Sequence, residues 1–321
     1  MAEFDLIAHI AARAVRRADV ALGIGDDAAV LQPRPGEQLV ACCDTLNVGV
    51  HFLPDAAPSD VGWKALAVNL SDLAAMGAVP AWVLLSLTLP QADSGFVAGF
   101  MDGFCALADD AGVSLVGGDT TYGPLAVSIT ALGLVPNGQA VTRSGAQVGD
   151  VVCVSGTLGD AAAALQLHQH GVDAEPSAHA MLRTRMTRPS PRLVLGRALR
   201  GVAHAAIDIS DGLLADLAHL ATGSHVGIEL EADRLPASSA LRAVFDGDDC
   251  RRFMAIGGDD YELAFTVPPD RIDAVRDRVH PLPITPIGRV VEGSGVVLRD
   301  AEGQVIDYGR AGWEHFAGAG P

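Results

Sequence analysis

Lysine is nearly absent: among 321 residues only Lys64 is a lysine. A phosphate-binding P-loop requires Gly-x-x-x-x-Gly-Lys-Ser/Thr. Lys64 sits instead in Val61-Gly62-Trp63-Lys64-Ala65, which excludes that class of nucleotide enzyme. Basic residues as a group are scarce, with 22 Lys and Arg against 39 Asp and Glu and a formal net charge of -17. A nucleic-acid backbone needs a basic patch, so no nucleic acid is expected as partner. The five cysteines, Cys42, Cys43, Cys105, Cys153 and Cys250, are odd in number and contain no Cys-x-x-Cys spacing, which argues against structural zinc and a disulfide framework. Unbroken apolar runs are missing too. The uncharged stretch from Leu73 to Gln91 is interrupted by Gly77, Pro80 and Pro90 and reads as a helix end followed by a buried strand, not a membrane span. Met1-Ala2-Glu3-Phe4-Asp5 lacks the basic region of a signal peptide. A cytoplasmic protein without membrane contact is expected.

What the chain has is aspartate in short clusters, most of them beside glycine. Six clusters recur: Gly25-Asp26-Asp27, Asp44-Thr45, Ser71-Asp72, Gly118-Asp119, Asp208-Ile209-Ser210-Asp211-Gly212 and Gly257-Gly258-Asp259-Asp260. Two carboxylates about 4 Å apart repel by roughly 4 kcal/mol at an effective dielectric of about 20, so gathering them requires a cation. Hard ions such as Mg²⁺ suit carboxylate oxygens and bring substrate phosphates with them. Taken singly, each cluster also reads as an ordinary turn.

The length favours two domains, and 49% hydrophobic residues suffice for substantial cores. Phe4, Leu6, Ile7, Ile10, Ala11, Ala14 and Val15 recur at helical spacing. Residues 28–31 and 38–43 read as extended. Pro58-Ser59-Asp60 is helix-start chemistry before a helix to Ala75, with Ser59 as cap. Val79 to Leu89 reads as a strand. Ser94 to Ala111 reads as a helix with Phe96, Phe100, Phe104 and Leu107 inward, and Val113 to Val116 as a short strand ending at Gly117-Gly118-Asp119. Leu125 to Val135 is a further strand, and the turn Pro136-Asn137-Gly138 opens the expected domain junction, dividing the chain into 1–137 and 138–321. The second half mixes helices near 160–170, 190–200 and after Asp211 with strands at 151–154, 203–208, 226–230, 261–267 and 284–290. Acidic glycine turns at strand ends in both halves are compatible with two domains meeting at a common cleft.

Glycine next to aspartate lets backbone and phosphate approach while the carboxylate reaches a metal, and Gly117-Gly118-Asp119-Thr120-Thr121 fits that role. Arg143 in Thr142-Arg143-Ser144 offers a planar guanidinium for bidentate phosphate contact. Asp208, Ser210 and Asp211 would lie at a helix start, whose amides favour anions; a simple cap by Ser210 or Asp211 is the alternative.

In order along the chain these motifs resemble the thiamine-monophosphate kinase family, within the ATP-binding superfamily that includes aminoimidazole ribonucleotide synthetase. The matching segments are Gly23-Ile24-Gly25-Asp26-Asp27, Asp44-Thr45-Leu46 with His51-Phe52, the run from Lys64 through Asn69, Ser71 and Asp72 to Ala78, Gly117 to Thr121, Thr142-Arg143-Ser144-Gly145, Asp208 to Gly212, Gly257-Gly258-Asp259-Asp260-Tyr261-Glu262-Leu263 and Gly312-Trp313-Glu314-His315-Phe316. The resemblance runs nearly end to end. It implies an α/β (mixed α+β) fold of two domains: an N-terminal sheet-and-helix domain that binds ATP and metal and forms a barrel-like homodimer core, and a C-terminal α/β domain that completes the active site. It implies that Asp27, Asp44, Asp72, Asp119, Asp208 and Asp211 bind several Mg²⁺ ions. Gly118, Asp119, Arg143 and Ser210 would contact ATP or its metals, and His51, Asp259 and Trp313 would hold thiamine monophosphate. The implied reaction yields thiamine diphosphate by direct in-line phosphoryl transfer. Because the acceptor is itself a phosphate, ionised at neutral pH, no side-chain base is required.

Two positions depart from the family's pattern. Cys42 and Cys43 stand where relatives carry hydroxyl residues that help hold magnesium, and a thiol is a poor ligand for a hard ion. Asp259 stands where many relatives have Glu. The alternatives are another ATP-dependent synthetase of the superfamily and a noncatalytic nucleotide or metal sensor. A selenophosphate synthetase would carry a reactive cysteine near its N-terminus, and Cys42 is the first cysteine here.

Overall fold

The computed structural model describes residues 3–14, 17–172, 174–309 and 312–313. Val15 and the segment 314–316, named above, lie outside them. Two compact units are present: Met1–Leu73 with Gly77–Ala140, and Ala74–Met76 with Val141–Pro321.

The first unit runs α1 (Glu3–Arg13), β1 (Val20–Leu22), β2 (Val30–Leu31), β3 (Glu37–Asn47), α2 (Pro58–Ala75), β4 (Val79–Leu89), α3 (Ser94–Ala111), β5 (Ser114–Tyr122) and β6 (Ala126–Pro136). β3, β6, β4 and β5 form a four-stranded sheet in that order, with β4 and β5 parallel and the other pairs antiparallel. Side chains alternate between faces. Val83, Leu85 and Leu87 of β4 and Val127, Ile129 and Ala131 of β6 are buried on one face. On the other, Leu39, Ala41, Cys43 and Thr45 of β3 are exposed.

α3 begins where Asp93 accepts the amide hydrogens of Gly95 and Phe96 at 2.9 and 3.0 Å, as N-caps do, and stops at Gly112 in the left-handed conformation. Phe100 and Phe104, one turn apart, are buried, with ring centroids 6.1 Å from one another. α2 starts at Pro58, so Ser59 lies inside the first turn and is not the cap; proline's fixed φ and missing N–H suit that first position. Gly103 of α3 lets the two helices touch, because a Cβ there would stand 1.7 Å from the Ser59 carbonyl oxygen.

The second unit runs β7 (Val151–Ser155), α4 (Asp160–His170), α5 (Pro176–Thr187), α6 (Leu193–Leu199), β8 (Ala205–Asp208), α7 (Leu213–Ser224), β9 (Gly227–Glu231), α8 (Ser239–Val244), α9 (Gly247–Ile256), β10 (Leu263–Val267), α10 (Ile272–Val279), β11 (Ile284–Val291), β12 (Gly295–Arg299) and β13 (Val305–Ile306). A seven-stranded sheet has the order β13-β12-β9-β11-β7-β10-β8. Val152, Val154, Ala205, Ile207 and Ala264 enter a core with α4, α7 and α9. Their neighbours Cys153, Ala206, Leu263 and Phe265 enter a second core with α6 and α10. Burial on both faces explains why these strands read as continuous apolar runs. Mixed α/β architecture is thus present in the chain. Among the described residues no helix is long and apolar enough to cross a membrane.

Candidate active site

In the first unit Asp44 of β3 is tied to α2. The Asn69 side-chain carbonyl accepts the Asp44 amide hydrogen at 3.1 Å, while its amide group donates to the Ala65 carbonyl oxygen at 3.1 Å. The Cys42 thiol donates to the Asn69 carbonyl oxygen at 3.3 Å. Burial, then the Asp72 and Asp44 carboxylates, push the Cys42 thiol well above its ordinary range. Burial likewise raises Asp44. Cys42, Asp44, Asn69 and Asp72 therefore share one neighbourhood, and the strand's alternation sends Cys43 to the exposed face.

The segment Gly117–Thr121 lies inside β5 and not in a turn beyond it. Gly118, at φ 152°, permits this: a Cβ there would lie 1.8 Å from the Leu85 carbonyl oxygen of β4. Pairing aligns Gly118 with Leu85, Ile129 and Asp44, and Asp119 with Ser86, Ser128 and Thr45. Asp119 is exposed and accepts the Thr120 amide hydrogen at 2.9 Å. His51 Nδ1 accepts the Asn47 amide hydrogen at 3.0 Å, which places the proton of the neutral ring on Nε2. Lys64, 4% exposed, donates from Nζ to the His51 carbonyl oxygen at 2.9 Å. Asp27 is exposed between β1 and β2.

In the second unit Asp208 ends β8, and the loop to α7 is folded around one carboxylate. Asp216 Oδ2 accepts the amide hydrogens of Ser210, Asp211 and Gly212 at 3.0, 3.1 and 3.1 Å. The alternative of a cap by Ser210 or Asp211 does not hold: Gly212 occupies the N-cap position without a side-chain bond, and the acceptor for the first amides is Asp216, from inside the helix. Burial, then Asp208 and Asp211, push Asp216 up to about 7, against the lowering effect of the amides.

The same loop grips two others. Its Ser210 carbonyl oxygen accepts the Asp259 amide hydrogen at 2.8 Å, Ile209 accepts that of Tyr261 at 2.8 Å, and Asp211 accepts that of Trp313 at 2.9 Å. Asp259 and Tyr261 adopt left-handed φ of 68° and 50°, and the Tyr261 hydroxyl donates to Asp259 Oδ1 at 3.0 Å. Asp208, Ser210, Asp211, Asp259 and Trp313 are thus brought together, with Trp313 54% exposed. Arg143 stands apart on an exposed loop. Its carbonyl oxygen accepts from Ser224 at the far end of α7, at 3.1 Å.

Beneath the 257–262 segment lies a charged network that composition did not reveal. Glu262, fully buried, accepts from Arg185 Nη2 at 2.8 Å, from Arg192 through both nitrogens of its fork, with Nε at 2.6 Å, and from Ser155 Oγ at 2.6 Å. Asp260 accepts the Gly159 amide hydrogen at 2.8 Å, and burial raises it well above the carboxylate range. Asp160 accepts from Ser238 and Thr157 at 2.6 and 2.7 Å. Asp216 has a sequence signal, an acid in a helix's first turn; Glu262 and Asn69 have none beyond lying in the recurring motifs.

A two-unit chain with Gly-Asp loops on both units matches a known class. The AIR synthase related protein N-terminal domain matches residues 25–135 and the corresponding C-terminal domain residues 147–301. The chain is 44% identical over 324 residues to thiamine-monophosphate kinase of Salmonella typhimurium, covering 98% of each chain. It superposes on the crystal structure of thiamine-monophosphate kinase from Stenotrophomonas maltophilia K279a with a TM-score of 0.88 and 53% identity, over 95% of this chain and 98% of the other. For AaThiL complexed with AMPPCP and TMP the TM-score is 0.79 and the identity 36%, over 98% and 97%. The chain belongs to the thiamine-monophosphate kinase family, whose members are phosphotransferases.

Proposed function

We propose that the chain transfers the γ-phosphoryl group of ATP to thiamine monophosphate, producing ADP and thiamine diphosphate by direct in-line attack. The carrying observation is the likeness along 98% of the chain to a protein complexed with AMPPCP, an ATP analogue, and TMP. The nucleophile is a phosphate oxygen already ionised near neutral pH, so the protein's task is positioning and charge compensation.

Carboxylate oxygens suit magnesium. Burial raises Asp44, and burial, then the Asp208 and Asp211 carboxylates, raises Asp216; a nearby cation would relieve the like-charge part of the second shift. Asp27, Asp44, Asp72, Asp119, Asp208 and Asp211 would hold the ions. Among the described residues no three His, Cys, Asp or Glu side chains are grouped to hold an ion by themselves, so water and substrate phosphate oxygens would have to complete each site. Bound magnesium would neutralise charge on the two phosphate groups. Cys42 takes no part through its thiol, which is engaged by Asn69.

The chain's own residues do the rest. Gly118 allows backbone to approach the nucleotide, Arg143 supplies a planar fork for phosphate, and Ser210 adds a hydroxyl. His51 donates from Nε2 to the acceptor phosphate. Trp313 offers an aromatic face to the cationic thiazolium, and Asp259 a carboxylate held by Tyr261. A homodimer formed through the exposed β3 edge of the four-stranded sheet, where Leu39 is 54% exposed, is also proposed; Leu39→Glu should shift sedimentation toward monomer.

The test is ADP release by purified protein with thiamine monophosphate, with free thiamine and aminoimidazole precursors as controls. Release dependent on thiamine monophosphate is expected. Activity on free thiamine alone, or ATP binding without turnover, would overturn the proposal.

A further inference from the structure

The α7 N-terminus presents three successive amide N–H groups, the arrangement that elsewhere binds external anions. Here the chain fills that nest itself with buried Asp216. The loop so closed is the common support of the two residues assigned to thiamine phosphate. The Ser210 carbonyl oxygen bonds the Asp259 amide, and the Asp211 carbonyl oxygen bonds the Trp313 amide. Both supports are peptide carbonyls, and the N–H groups of Asp211 and Gly212, on the far side of the same two peptides, point to Asp216. Fixing those N–H groups fixes the planes in which the carbonyls lie.

We propose that Asp216 is a positioning residue for thiamine monophosphate: by accepting three amide hydrogens it orients the carbonyls that seat Asp259 and Trp313. It touches no substrate. The inference rests on the reading of Asp259 and Trp313 as substrate contacts. Packing leaves little tolerance, since a Cβ at Gly258 would lie 2.6 Å from the Ser210 carbonyl oxygen and one at Gly312 would lie 2.4 Å from that of Asp211.

The experiment is calorimetric titration of thiamine monophosphate, with magnesium and without ATP, into the wild type and the Asp216→Ala, Asp216→Asn and Trp313→Ala variants. Unfolding midpoints are recorded alongside to confirm that each variant is folded. Asp216→Ala should weaken binding about tenfold or more. Asp216→Asn, which keeps an acceptor oxygen, should restore affinity to within about threefold of wild type, a rescue that a general loss of stability does not produce. Where Asp216→Ala does not fold, Asp216→Ser, whose hydroxyl is too short to reach three amides, takes its place with the same expectation. Wild-type affinity in Asp216→Ala or Asp216→Ser together with weakened binding in Trp313→Ala overturns the positioning role and leaves the substrate reading intact. Tenfold weakening in Asp216→Asn overturns the hydrogen-bond account. Wild-type affinity in Trp313→Ala overturns the substrate reading and this inference with it.

Discussion

The Asn69 side-chain carbonyl, inside α2, accepts the backbone amide hydrogen of Asp44 on β3 at 3.1 Å. A helix and a strand that each carry an acidic motif are thereby locked in register. Asn69→Ala would leave the Asp44 amide and the Ala65 carbonyl without this partner, and an unsatisfied buried group costs about 1–3 kcal/mol. A lowered urea midpoint with an unchanged m-value is expected.

Removing Glu262 should be more damaging. Its carboxylate is 0% exposed and faces Arg185 and Arg192, so Glu262→Ala would leave Arg192 without its carboxylate and Arg185 with only the more distant Asp160 at 3.6 Å, at a cost of about 3–5 kcal/mol. Arg192→Met, which leaves Arg185 and Ser155 on the carboxylate, should cost less. Equilibrium unfolding of both variants checks the ranking.

Acid stability should depend on Asp19. The Arg17 guanidinium, bonded to both oxygens at 3.0 and 2.7 Å, and the Trp82 indole N–H at 3.1 Å hold it below its ordinary 3.8 despite partial burial. A depressed carboxyl contributes stability above its unfolded pKa and loses it as pH falls through the folded value. Asp19→Asn should therefore lower the thermal midpoint at neutral pH and flatten its decline between about pH 5 and pH 2.

Gly118→Ala would drive a methyl group into the Leu85 carbonyl oxygen, 1.8 Å from the Cβ position. Parting of β4 and β5 at this point should lower the melting temperature and the affinity for ATP together. A variant that bound ATP normally would show that β5 need not close on β4.

For the phosphoryl transfer itself, Asp72→Asn and Asp119→Asn should each reduce kcat at least roughly tenfold, the lower bound for disturbing groups around a metal, with little change in unfolding midpoint. Steady-state kinetics across a magnesium titration would check this. Near-normal turnover at saturating magnesium would remove both from the metal set.

Much of this architecture was legible in the amino-acid order. β4 and α3 have the bounds expected, Val79–Leu89 and Ser94–Ala111, because Asp93 and Gly112 supply chemical start and stop signals. The Gly117–Thr121 segment reads as a turn, since paired glycines usually break a strand; only a neighbour too close for a side chain reveals why they continue one. α5, α8, α9 and α10 went unread, being short or largely polar, as did β12 and β13, five and two residues long. The motifs named Asp260 and Glu262 among the acidic residues but not Asp216, and they did not separate the acids that face outward from those whose hydrogen bonds hold the loops in shape. That division depends on which carboxylates accept from backbone amides, as Asp216 and Asp260 do, or from buried side chains, as Glu262 does, and single acids carry no periodic trace of it.

The final residues of α2 have a genetic consequence. Ala74 and Ala75 belong to a core with Leu195 and Leu199, and Gly196 is bare because a Cβ would meet the Ala74 carbonyl oxygen at 2.0 Å. A gene fragment starting at Val141 encodes the second unit without three of its own residues. Neither unit is a contiguous stretch of sequence, so a cut at the junction takes part of the second unit's core away with the first.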